Sequence, residues 1–202
     1  MRRGGEGTLT LHAVLCCVVL CSVVLLSHVF YRNPFNLHGI SVLGDSGSMY
    51  GSRELVAKAL TLECLRGAHR QQRDCYVYAF SGPQDVMELE LGVDPSSISR
   101  LLSFMTMGFS GGTDVDAPLA LSLERLGREG WALADILMVT DGEIPRPKKD
   151  ILSRLDAAKA DLGLEVHGLL VGPRITAPME ELCNHLHVFK SWSAVGGRPG
   201  AY

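Results

Sequence analysis

From residue 40 onward, short unbroken apolar runs alternate with longer stretches in which apolar residues recur every three or four positions. The runs 40–43 (ISVL), 75–80 (CYVYAF), 134–139 (ADILMV) and 164–171 (LEVHGLLV) are too short for helices, and each ends at Gly, Ser or Thr; this predicts buried strands. Residues 86–91 (VMELEL) alternate apolar with acidic, the pattern of an edge or half-exposed strand, and 188–192 reads as a last strand. Helical spacing covers 52–70, where Leu55, Ala59 and Leu62 share a face with Val56 and Leu65 beside it. It recurs over 96–107, which opens on serine, and over a stretch with Pro118 near its start that runs to about Arg128. Ile151, Leu152, Leu155, Ala158 and Leu162 mark a further helix that Gly163 can end, and 178–186 reads as a short one. Strand–helix alternation predicts an α/β domain, a three-layer doubly wound and mainly parallel sheet. No internal repeat interrupts the pattern. In such sheets ligands bind outside the carboxyl ends of the strands, at the point where the winding reverses.

A different pattern precedes the domain. Arg2 and Arg3 lead into a run from Leu9 to Phe30 whose only titratable nitrogens are His12 and His28, with the centre AVLCCVVLCSVVLL. A helix needs about 20 apolar residues to span a bilayer, and this run reaches that length. It lacks a small-x-small cleavage site, so an uncleaved signal anchor is favoured over a secretory signal. The expected organisation is an N-terminal apolar helix within 1–36, the domain over 37–193, and a flexible Gly/Pro-rich tail over 194–202. The chain would then be single-pass and membrane-associated through residues 9–30, with the domain on the far side from Arg2 and Arg3. The alternative is an intracellular domain whose natural N-terminus differs from this one, because composition breaks sharply near Asn36.

Composition narrows the chemistry. The formal net charge is -3, with acidic and basic residues interleaved and no basic stripe, which argues against a nucleic-acid partner. Of six cysteines, Cys16, Cys17 and Cys21 fall in the apolar run, while Cys64, Cys75 and Cys183 stand singly in apolar company. No C-x-x-C occurs, so neither a zinc ribbon nor a dithiol centre is indicated, and the last three read as buried thiols.

Three polar clusters follow predicted strands or open predicted helices: Asp45-Ser46-Gly47-Ser48, Gly112-Thr113-Asp114 and Thr140-Asp141-Gly142. Parallel strands would bring the first and third to one sheet edge. Hydroxyls and carboxylates converging there are hard oxygen donors, suited to Mg²⁺ rather than to zinc or copper. Each residue also has a plain structural reading: Ser46, Ser48 and Thr113 as helix caps, Asp141 as a turn closer.

In order and spacing, DSGSM, GGTD and VTDGE resemble the metal-ion-dependent adhesion site of von Willebrand factor A-type (vWA) domains, which have a Rossmann-like fold. FSGGTDVDAPL and ADILMVTDGEI resemble in particular the CoxE/ViaA-like branch, whose members partner a MoxR-type AAA+ ATPase. The resemblance spans Asp45 to Trp192 and implies a protein-binding module, not an enzyme. It implies Mg²⁺ held by Ser46, Ser48, Thr113 and Asp141, with a partner's carboxylate completing the shell. In the family's D-x-S-x-S loop the Asp position falls here on Gly44, and Asp45 stands one residue late. Either Asp45 fills in through a local bulge or the site is one carboxylate short.

Gly44-Asp45-Ser46 also resembles the first block of SGNH/GDSL hydrolases, with Ser46 as nucleophile. Such enzymes need a D-x-x-H pair, and the sequence has none; Asn184-x-x-His187 is the nearest imitation. His167 reads as a core histidine. His185 and His187, near Cys183, read as a helix end rather than a soft-metal cluster, and Trp131 and Trp192 as packing residues.

Overall fold

A computed structural model of the chain describes residues 38–44, 58–59, 62, 66, 70, 72–82, 85–92, 94, 96–106, 114–128, 130–172 and 175–189. The strands are β1 (His38–Gly44), β2 (Asp74–Gly82), β3 (Asp85–Leu91), β4 (Asp135–Thr140), β5 (Val166–Val171) and β6 (His185–Phe189). They form one six-stranded sheet in the order β3-β2-β1-β4-β5-β6. All neighbours pair in parallel except β2 and β3, which are antiparallel. The alternating strand VMELEL thus takes the edge, where one face tolerates Glu88 and Glu90 in solvent.

Four helices are described: α1 (Ser96–Thr106), α2 (Asp116–Leu126), α3 (Lys149–Leu162) and α4 (Ala177–Leu182). In the expected helix over 52–70, the described residues Lys58, Ala59, Leu62, Arg66 and Arg70 are all helical. Gly163 ends α3 in the left-handed conformation at φ 69°, where a residue without Cβ meets no steric cost.

Strand alternation divides the core. Ile40, Val42, Tyr76, Tyr78, Phe80, Ile136, Met138, Val166 and Leu170 pack in one cluster with Leu119 and Leu123 of α2, Ile151 and Leu155 of α3, and Met179 and Leu182 of α4. Val77, Val139, His167 and Leu169, at alternating positions, are also buried, so both faces of the sheet are covered. Full burial of each large aliphatic contributes roughly 1.5–3 kcal/mol. Trp131 belongs to this core. The Arg125 guanidinium is buried in it, 3.6 Å above the Tyr76 ring, where the aromatic face offsets its desolvation.

Two elements depart from expectation by several residues. The last strand starts at His185 rather than at 188, residues 190–192 lying outside the described residues, and α4 ends at Leu182 rather than at 186. Asn184 explains both shifts: its amide N donates to the Val166 carbonyl at 2.8 Å and its Oδ1 accepts from the Val166 N at 2.9 Å. That exchange starts β6 three residues early and makes His185 and His187 strand residues rather than a helix end. At α1 the cap is not the opening serine but Asp94, whose carboxylate accepts from the Ser96 and Ser97 amides and from both their hydroxyls.

Among the described residues no helix is long and apolar enough to cross a membrane. The expected N-terminal apolar helix, the tail over 194–202 and Trp192 lie outside the described residues.

Candidate functional site

The strand order places the reversal of winding between β1 and β4, since the chain leaves β1 towards β2 on one side and the later strands continue from β4 on the other. A crevice at the carboxyl ends of those two strands is where this architecture binds ligands. Leu43 pairs with Val139, so Gly44 and Thr140, the last residues of their strands, leave the sheet side by side. The segment beginning at Asp45 therefore departs from the same rim as Asp141.

Asp141 is the one expected metal ligand among the described residues; Asp45, Ser46, Ser48 and Thr113 lie outside them. Its side chain is buried, with 6% of the residue exposed. Asp141 Oδ1 accepts the Glu143 amide at 3.1 Å, the turn-closing contact of the plain structural reading. Thr140 Oγ1 accepts the Gly142 amide at 3.2 Å. Gly142 has φ 85°, and a Cβ there would come within 2.9 Å of Leu170 Cδ2, so this turn requires glycine on both counts.

The loop from 141 to 148 is pinned by three residues of two other segments. Thr176 Oγ1 donates to the Gly142 carbonyl at 2.9 Å. Arg146 makes a two-pronged ion pair with Glu181 of α4, at 2.6 and 2.8 Å. Asp116, in the first turn of α2, accepts the Lys148 amide at 2.9 Å and faces its Nζ at 3.4 Å. Asp114, next in sequence to Thr113, accepts the Asp116 amide at 2.9 Å, so the segment entering α2 is tied through Asp116 to the end of the Asp141 loop. Sequence reading missed Thr176, Asp116 and Glu181. Only Asp116, in DVDAP directly before a helix, carried a local signal, that of an acid in a first turn.

The chemistry of the expected donor set fits a hard cation, since every member offers oxygen and one carboxylate is held buried at the rim. Among the described residues no group of three or more His, Cys, Asp or Glu side chains is placed to hold a metal ion. His185, His187 and Cys183, all among the described residues, do not make up a group placed to hold a metal ion; His185 instead stacks on the buried His167, with ring centroids 4.9 Å apart and planes 20° apart. Cys75 and Cys183 are free thiols whose burial pushes both up to about 12, which suits packing rather than nucleophilic work. Asn184, the asparagine of the imitation pair, binds the start of β5 at the opposite end of the strands from Asp141. The hydrolase reading thus gains no support.

No protein-family model matches the sequence. Among solved structures, the fold is similar to a von Willebrand factor type A protein from Catenulispora acidiphila, with a TM-score of 0.60 and 15% identity over 78% of this chain and 39% of that one. It is also similar to the VWA domain of SpRpn10, with a TM-score of 0.56 and 11% identity over 76% and 87% of the two chains. A third is an aerotolerance-related membrane protein from Bacteroides fragilis NCTC 9343, with a TM-score of 0.53 and 20% identity over 67% and 68%. The fold is vWA-like.

Proposed function

We propose that this chain is a protein-interaction module whose site lies at the carboxyl rim between β1 and β4. There Asp141, Ser46, Ser48 and Thr113, with Asp45 as the second carboxylate, hold Mg²⁺, and an acidic side chain of the partner completes the shell. The observation that carries the reading is the position of Asp141: a buried carboxylate at the reversal of winding, beside the strand end that leads into DSGS. Mg²⁺ asks for near-octahedral oxygen coordination at about 2.0–2.1 Å and gives up its waters reluctantly, which leaves a position for an incoming carboxylate. The sequence resemblance favours a MoxR-type AAA+ ATPase as the partner and a binding rather than an enzymatic role. The apolar run over 9–30 and the likeness to an aerotolerance-related membrane protein favour attachment to a membrane.

Titration calorimetry with Mg²⁺ tests the site. Wild type binds, and Asp141→Ala weakens binding at least about tenfold, ~1.4 kcal/mol. Equal heats for the two proteins would remove the reading. Because Asp45 is the second carboxylate in this reading, Asp45→Ala is expected to weaken Mg²⁺ binding several-fold and Gly44→Asp to change it little; a sharp gain in Gly44→Asp would mean that Asp45 does not reach the ion.

A further inference from the structure

We infer that Thr176 is a positioning residue for Asp141, an inference that rests on the function just proposed. Thr176 is the N-cap residue of α4, in the extended conformation usual there, at φ -114° and ψ 150°. A threonine in that place ordinarily turns its hydroxyl onto the amides of its own helix. This one makes no side-chain cap bond. Its carbonyl accepts from the Met179 and Glu180 amides at 3.0 and 3.1 Å, while its hydroxyl crosses 34 residues of sequence to the Gly142 carbonyl.

Gly142 lies between the two ends of a contact that orients the carboxylate, Asp141 Oδ1 accepting from the Glu143 amide. Fixing the Gly142 carbonyl fixes the plane of the peptide that carries the Glu143 amide, because the two groups belong to one planar unit. A left-handed glycine has more conformations open to it than any other residue. It is the place in this loop where an external hold has most effect. The hydroxyl therefore forgoes the cap and narrows the range of orientations of the Asp141 carboxylate before any cation arrives.

Two variants and two readouts test this. Thr176→Val keeps the branched shape and loses the donor; Thr176→Ser keeps the donor. In Mg²⁺-free protein, hydrogen exchange at the Glu143 amide should quicken by about tenfold or more in Thr176→Val and stay near wild type in Thr176→Ser, with the exchange of α4 amides unchanged. Mg²⁺ affinity by calorimetry should fall several-fold in Thr176→Val and recover in Thr176→Ser, at nearly constant Tm. Equal Glu143 exchange in wild type and Thr176→Val overturns the inference. So does faster exchange confined to Met179 and Glu180, which would mean that the hydroxyl serves its own helix. If wild type takes up no Mg²⁺, the proposed function fails, and the exchange measurement still decides whether Thr176 holds the turn.

Discussion

Gly168, in the middle of β5, faces three side chains at once. A Cβ there would stand 2.5 Å from Leu186 Cδ2, 2.7 Å from Cys183 Sγ and 3.0 Å from Met179 Cε. Each is the movable end of its side chain, but Met179 is fully buried and has little room to retreat. Gly168→Ala should destabilise by about 1–3 kcal/mol, the range for forcing extra volume into a filled core. Urea unfolding measures it, and an unchanged midpoint would mean the three ends yield together. At this scale the sequence was informative where a polar residue breaks an apolar run. Thr140-Asp141-Gly142 after ADILMV stood out because nothing packs a strand with that triplet. Thr176 did not stand out, because its meaning is a bond to a carbonyl 34 residues away, and no local pattern records such a bond.

At the scale of elements, the long apolar runs read correctly as strands, because burial on both faces leaves few alternatives. The last strand did not. HLHV is half polar, and what makes it a strand is the pair of hydrogen bonds that Asn184 makes to the Val166 backbone, one through its own amide and one through its side-chain Oδ1, a tertiary fact. The start of α1 was misread for a related reason. Serine opens the helix, but Asp94, two residues earlier, gathers its first amides. Hydrogen bonds from the Ser96 hydroxyl first, and then that of Ser97, hold the Asp94 carboxyl down at about 2 from an ordinary value of 3.8. A carboxyl depressed in the folded state stabilises it above the unfolded value, and that contribution fades as pH falls from about 4 through 2. Asp94→Asn should therefore be less stable than wild type at neutral pH, and the two should converge near pH 2. The Ser97 amide resonance of wild type should shift near the same pH, and that of the variant should not. Parallel stability curves across this window would show that the cap contributes nothing to folding.

For the whole molecule, position in the sheet decides what each segment can do. β1 is central, paired along its length with β2 on one side and β4 on the other, and it leads directly into DSGS. The alternation of strand and helix patterns begins only at residue 40, after the composition break near Asn36, and β1 pairs from His38 onward. The domain should therefore fold without residues 1–36. The test is a stringent one, since β1 starts at His38, and fraying at the cut would open the middle of the sheet rather than an edge. Its pairing from His38↔Asp74 onward and the burial of Ile40 and Val42 should outweigh that fraying. A chain beginning at Leu37 is expected to unfold in one cooperative step, with Tm within about 2–4 °C of the full chain, the shift that ~1 kcal/mol produces at this size. It should also keep whatever Mg²⁺ affinity the full chain has, because the rim that carries Asp141 is at the far end of β1 from the cut. Loss of the cooperative transition would mean that the N-terminal segment takes part in the fold itself, and the boundary near Asn36 would then mark a change of composition rather than of domain.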